Sequence, residues 1–169
     1  MTPAPHAAYP PADAPLALHV AGTWLTQASG GERPVFDPAP ATETGRLPLA
    51  GDVELQAAAD SARRGFVQWR TRSALERCTV LRRAADLLRQ RAPAIAAGLT
   101  REQGKPLAEA EREVRLSADI IDFQAEEAKR LYGRLVPPRV DGILRHEVRP
   151  EPLGPVAAFT AWNFPVNLP

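Results

Sequence analysis

Cysteine is nearly missing from this chain. Cys78 is the only one among 169 residues, so no internal disulfide can staple the fold. A solitary thiol suits a reducing compartment, and the cytoplasm is the expected location. Long hydrophobic runs are missing as well. No stretch approaches the roughly 20 apolar residues of a membrane span, and no basic segment leads into an apolar one as an export signal would. Lysine is scarce: Lys105 and Lys129 are the only two, and arginine carries nearly all the positive charge. An excess of either sign is absent, because a net charge of +1 gives no global pull toward nucleic acid or an anionic membrane. The phosphate-cradling patterns G-x-G-x-x-G and the P-loop do not occur, and neither do internal repeats. His6, His19 and His146 have no Cys, Asp or Glu at ligand spacing on a shared helix, so no metal site is expected.

What remains is an ordinary globular composition, 44% hydrophobic and 24% charged, enough for one domain. Proline is the exception, at 18, and many stand in the opening "MTPAPHAAYPPADAP". Residues 1–15 hold too few bulky apolar groups to offset their ordering entropy and are expected to be a disordered tail.

"LALHVAGTWL" (residues 16–25) carries β-branched and aromatic residues around Ala21-Gly22 and predicts a hairpin. "RPVFDPAPATETGRLPLAG" predicts a short strand followed by turns. Asp52 is the expected cap of a helix whose apolar stripe is Leu55, Ala59, Ala62, Phe66 and Trp69. "SALE" (residues 73–76) is a capping box opening a second helix, with stripe Ala74, Cys78, Leu81, Ala85 and Leu88. Cys78 on that stripe is expected to be a buried, inert thiol. A third, short helix is expected from Pro93 to Gly104. A fourth is expected from Pro106 to Gly133, with stripe Leu107, Ala110, Val114, Ala118, Ile121, Ala125, Ala128 and Leu131. Glu111 with Arg115, and Glu126 with Arg130, are acid-first pairs on its wet side.

After Pro137-Pro138 the texture changes. "GILRHEVRPEP" is polar and extended, which suits a solvated or interface hairpin. "GPVAAFTAW" is short and continuously apolar, which predicts a strand buried on both faces of a parallel sheet, with Pro165 in the first turn of a following helix.

Two of these stretches carry a recognisable text. "EQGKPLAEAEREV" (residues 102–114) and "EPLGPVAAFTAWNFP" (residues 151–165) resemble the N-terminal part of the NAD(P)-dependent aldehyde dehydrogenase superfamily, and most of all its succinate-semialdehyde dehydrogenases. "VAGTWL", "FDPAPATETGRLPLA" and "ERCTVLRRAADLL" echo it more weakly, so the similarity runs from about residue 16 onward.

The resemblance implies an α/β fold. Residues 16–132 would form the helical outer portion of a Rossmann-like cofactor domain, and residues 133–152 the strands of an oligomerisation arm. Residues 153–169 would form the first parallel strand and its turn. It further implies oxidation of an aldehyde to a carboxylic acid with NAD or NADP in a homo-oligomer, through a cysteine thiohemiacetal. Asn163 matches the position whose amide donates to the oxyanion of that adduct, and losing such a donor typically costs about 3 kcal/mol. Thr160, Ala161 and Trp162 match positions that line the cofactor channel, with Ala161 where proline is more frequent. Phe164 would wall the aldehyde pocket. The family's nucleophilic cysteine and general-base glutamate are expected downstream of these residues, so the chain alone is expected to be inactive and poorly soluble.

Two other readings stay open here. An asparagine after a strand is commonly only a turn former. The nine arginines of residues 63–91, against Glu76 and Asp86, also suit a non-catalytic helical module that binds a partner or RNA. No aromatic stacking platform interleaves them, and charge runs are mostly solvated faces, so nucleic acid is not the expected partner.

Overall fold

The structure, a computed structural model, describes residues 15–169. The disordered tail expected over residues 1–15 therefore lies almost wholly outside the described residues.

Two antiparallel hairpins come first. Strands β1 (Leu18–Val20) and β2 (Thr23–Leu25) pair with Leu18 opposite Leu25, as the sequence predicts. Ala21 and Gly22 both have positive φ, 51° and 87°, the backbone that a tight primed hairpin turn requires. Strands β3 (Glu32–Asp37) and β4 (Thr42–Pro48) form a second hairpin, bulged between Val35 and Phe36. The sequence reading expected only turns after the first of these strands. Its prolines are tolerated because a two-stranded ribbon has free edges, where a missing N–H breaks no ladder.

Helix α1 (Asp52–Arg70) follows, with Gly51 rather than Asp52 as its N-cap. Glu54 supplies the capping acceptor for the Gly51 N–H, at 2.9 Å. None of the expected α1 stripe is buried; Leu55 is 58% exposed and Trp69 39%. Among the described residues only β1 lies substantially against this helix, so the stripe has little surface to bury against.

Helix α2 (Ala74–Gln103) starts at the predicted capping box: Ser73 Oγ accepts from the Glu76 N–H at 3.2 Å, and Glu76 Oε2 accepts from the Ser73 N–H at 2.8 Å. The separate third helix is not formed, because α2 runs straight through Pro93. Proline there removes one ladder donor, yet Ala92, Ala96 and Leu99 are buried on either side of it, and that packing outweighs the local penalty. The predicted stop at Gly104 holds. Helix α3 (Leu107–Glu127) then runs back along α2, with Pro106 as N-cap. It ends at Glu127 and not at Gly133, tightening into a 3-10 turn at Ala128–Arg130.

The α2–α3 pair is the core. Cys78, Ala85, Ala92, Ala96, Leu99, Ala110, Val114, Ala118 and Ala125 are all buried, and alanine dominates because it lets two helices approach closely. Arg130 bonds Glu127 at 2.8 Å, and Glu126 pairs with Lys129 at 2.6 Å instead of with Arg130. No ion pair joins Glu111 to Arg115 among the described residues.

Strands β5 (Arg134–Val136) and β6 (His146–Val148) form a hairpin exposed at every position; β6 lies in the stretch 142–152 expected to be a polar hairpin, but its partner strand comes from before Pro137-Pro138. The parallel strand expected within residues 154–162 is not formed. No described segment lies beside it to complete a ladder, and without ladder bonds an apolar run has nothing to hold it as a strand.

Candidate functional site

The site is built where two distant stretches meet. The first is the α2–α3 connection. Gly104 closes α2 in the left-handed conformation, φ 74°, with its N–H on the Thr100 carbonyl at 2.8 Å. A Cβ there would stand 2.9 Å from Pro38 Cγ, so glycine is required twice over. The Pro106 carbonyl accepts from the N–H groups of Glu109 and Ala110 as α3 begins. Gln103 and Lys105 flank the glycine.

The second stretch is the turn over residues 162–166. The Lys105 ammonium forms an ion pair with Glu113 and also donates to the Asn163 carbonyl at 2.8 Å. It lies 4.2 Å from the centre of the Phe164 ring, on its face. The other Glu113 oxygen, Oε1, accepts from the Val166 N–H at 2.9 Å. Gln103 Nε2 donates to the Trp162 carbonyl. The Val166 side chain packs on the cluster of Ala96, Leu99 and Ala110. Within the turn, the Phe164 carbonyl accepts from Asn167 and Leu168, one helical turn where Pro165 predicted a helix start. Leu116, Phe164 and Asn167 line a small groove here together with Lys105 and Glu113.

The predicted site residues divide accordingly. Thr160, Ala161, Trp162 and Asn163 are exposed. Asn163 stands on the anchored turn but does not line the groove, whereas Phe164 does. Sequence reasoning missed Gln103, Lys105, Glu113 and Val166. One signal for Glu113 was available: it falls beside the apolar stripe, between Ala110 and Ser117, with Glu109 and Ser117 a turn away and no cation at helical spacing. A carboxylate so placed needs a partner from elsewhere in the fold.

The other candidates are accounted for by packing. The Cys78 thiol is 3% exposed and faces Glu126 Oε1 at 3.8 Å. Of the clustered arginines, Arg63, Arg72, Arg82 and Arg89 pair with carboxylates, Arg89 reaching Asp119 and Asp122 at 2.7 Å each. His19 packs on Trp24, ring centres 4.6 Å apart. Among the described residues no His, Cys, Asp and Glu cluster could hold a metal ion, and no helix is long and apolar enough to cross a membrane.

Residues 24–169 match the aldehyde dehydrogenase family. The chain belongs to that family. It is 42% identical over 151 residues to the 4-(hydroxymethyl)benzenesulfonate dehydrogenase TsaD1 of Comamonas testosteroni, covering 89% of this chain and 32% of that protein. To the NADP(+) succinate-semialdehyde dehydrogenase GabD of Escherichia coli it is 40% identical over 147 residues, 87% of this chain and 30% of that protein. The crystal structure of succinate-semialdehyde dehydrogenase from Burkholderia pseudomallei superposes with a TM-score of 0.72 at 36% identity, covering 78% of this chain and 27% of that one. The chain thus spans about a third of the length of the curated relatives it matches, and its α/β architecture is that of the N-terminal part of the aldehyde dehydrogenase fold.

Proposed function

We propose that this chain is the N-terminal part of an enzyme that oxidises an aldehyde to a carboxylic acid with NAD or NADP, and that its own contribution is the turn carrying Asn163. The observation that supports this most is the anchoring of that turn: Asn163 is exposed, while its neighbours are bonded on both sides to the end of the α2–α3 pair. A carboxamide on a fixed turn donates an N–H to a developing oxyanion without adding a charge that would hold the product. The names of relatives such as GabD favour an aldehyde that also bears one carboxylate, such as succinate semialdehyde.

Thr160, Ala161 and Trp162 fit one wall of a dinucleotide site. They are exposed and their backbone is committed to no ladder, and of their carbonyls the one at Trp162 is held by Gln103, which fixes the end of this wall. When bound there, the nicotinamide would accept the hydride. What these residues do is line and orient, and what Phe164 does is exclude water beside the aldehyde. The nucleophile is not Cys78, which is buried between helices. The exposed β5–β6 hairpin suits an oligomerisation arm, and the cytoplasm suits a chain with one reduced thiol.

The test is a chimera in which residues 15–169 replace the matched segment of the E. coli succinate-semialdehyde dehydrogenase. We expect NADP-linked oxidation of succinate semialdehyde, and a fall in kcat of about 100-fold on Asn163→Ala with KM little changed. A chimera whose kcat survives Asn163→Ala within twofold refutes the oxyanion role.

A further inference from the structure

The ion pair between Lys105 and Glu113 is the most deeply buried charge in the described structure. Their side chains are 13% and 1% exposed. Burying such a pair costs desolvation that its attraction barely repays, and an apolar pair of similar volume often gives equal or greater stability. Stability alone therefore gives no reason for it. Its bonding pattern does. Both Glu113 oxygens are in use, one on Lys105 and one on the Val166 N–H. The Lys105 ammonium serves Glu113, the Asn163 carbonyl and the Phe164 ring together. Three hydrogen bonds tie this turn to the α2–α3 pair and its connection: Gln103 to Trp162, Lys105 to Asn163, and Val166 to Glu113.

We propose that Lys105 and Glu113 are positioning residues: their buried ion pair clamps the turn over residues 162–166 and so sets where the Asn163 carboxamide stands. This rests on the oxyanion role proposed above for Asn163. Lys105 holds the carbonyl of Asn163 itself and Glu113 holds the N–H three residues later, so the clamp fixes the chain just after the side chain, while Gln103 holds the Trp162 carbonyl just before it. Glu113 is in turn held by α3, whose buried Val114 and Ala118 fix the helix against α2. The connection through Gly104 brings Lys105 to the same end of the pair. The clamp thus passes the rigidity of the helix pair to a segment that has no ladder of its own. The stretch "EQGKPLAEAEREV" and the stretch ending in "WNFP" are, on this view, one device written in two places.

Amide hydrogen exchange on the 169-residue chain tests the clamp directly. In Glu113→Ala and in Lys105→Met, the Val166 N–H should exchange at least tenfold faster, while the Ala118 N–H, inside α3, stays within twofold. Glu113→Gln keeps an acceptor for Val166 and should fall between. An unchanged Val166 rate in both variants, with Ala118 still protected, overturns the proposal. If Glu113→Ala loses Ala118 protection, Lys105→Met, at the less buried end, decides.

The chimera then separates positioning from plain stability. Glu113→Gln should lower kcat at least tenfold with KM within twofold, and should add no further loss in the Asn163→Ala background, because it acts through that amide. An equal loss in both backgrounds overturns the positioning role. A chimera that keeps its kcat with Asn163→Ala sinks the oxyanion reading instead, and the exchange rates alone then decide whether the clamp exists.

Discussion

The α2–α3 pair and residues 133–169 are held in opposite ways. The helix pair is closed by its own small side chains, with Ala85, Ala92, Ala96, Ala110, Val114, Ala118 and Ala125 all at 0% exposure. The later segment buries almost nothing. Leu144 and Phe159 are each 98% exposed, and every position of β5 and β6 faces solvent. One region is held by apolar packing spread over many residues, the other by a few polar bonds at a single turn. The difference shows that hydrophobic content does not decide what is anchored. "GPVAAFTAW" is among the most apolar stretches of the chain and the least buried; the polar "QGK" loop is what ties it down.

That contrast can be broken at its strong end first. Val114→Asp places a carboxylate in the dry helix interface with no cation beside it and should cost about 4 kcal/mol. Urea titration followed by helical circular dichroism measures it, and a loss below about 1 kcal/mol would mean that the pair is not the source of the fold's stability.

A second polar tether, exposed where the clamp is buried, gives a smaller and pH-dependent effect. Glu54 accepts from the Ser29 N–H at 3.1 Å, from Ser29 Oγ and from the Gly51 N–H at 2.9 Å, joining the end of the first hairpin region to α1. The Ser29 hydroxyl above all, with the Gly51 N–H, lowers its pKa from 4.5 to about 2. A carboxylate depressed by folding stabilises the native state above its unfolded pKa, and that contribution disappears as pH falls through the folded value. Glu54→Gln should therefore lower the melting temperature at pH 7, and the gap from the parent chain should close between pH 4.5 and about 2. Thermal melts across that range check the sign; a gap of constant size would remove the carboxylate from the account.

The smallest effect belongs to the weak end. Phe159→Ser should change the chain's unfolding free energy by less than about 0.5 kcal/mol, since the ring touches so little. It should raise the concentration at which the chain stays monodisperse in sedimentation, because it removes an exposed aromatic from an unpaired apolar segment.

Much of the architecture was legible in the residues. Ala21-Gly22 announced the first hairpin, Ser73 with Glu76 announced the start of α2, and Gly104 its stop, because each of these is settled by backbone geometry and a bond within four residues. Failures occurred where the deciding contact was remote. Pro93 reads locally as a helix start, but it sits on the exposed side of α2 while Ala92, Ala96 and Leu99 around it are buried in the helix pair. The α1 stripe reads as a buried face, but what it would cover is not supplied by the described residues. The candidate site followed the same rule. The motif stretches were visible and Asn163 stood out as the polar residue after an apolar run, while nothing local marked Lys105 and Glu113, because the backbone groups they hold, at Asn163 and Val166, lie more than 50 residues further on.

By itself, the sequence determined the elements whose bonds close within a few residues: hairpin turns, helix caps, the glycine stop, and the apolar faces of α2 and α3. Only the tertiary structure decided which charges are buried and what they hold. A carboxylate's surroundings depend on groups brought beside it by folding, and the cost of burying it is recovered only if those groups offer an ammonium and an N–H at hydrogen-bonding distance. The ammonium comes from Lys105, eight residues earlier and outside the helix, and the N–H from Val166, 53 residues later, so helical spacing around Glu113 announces neither.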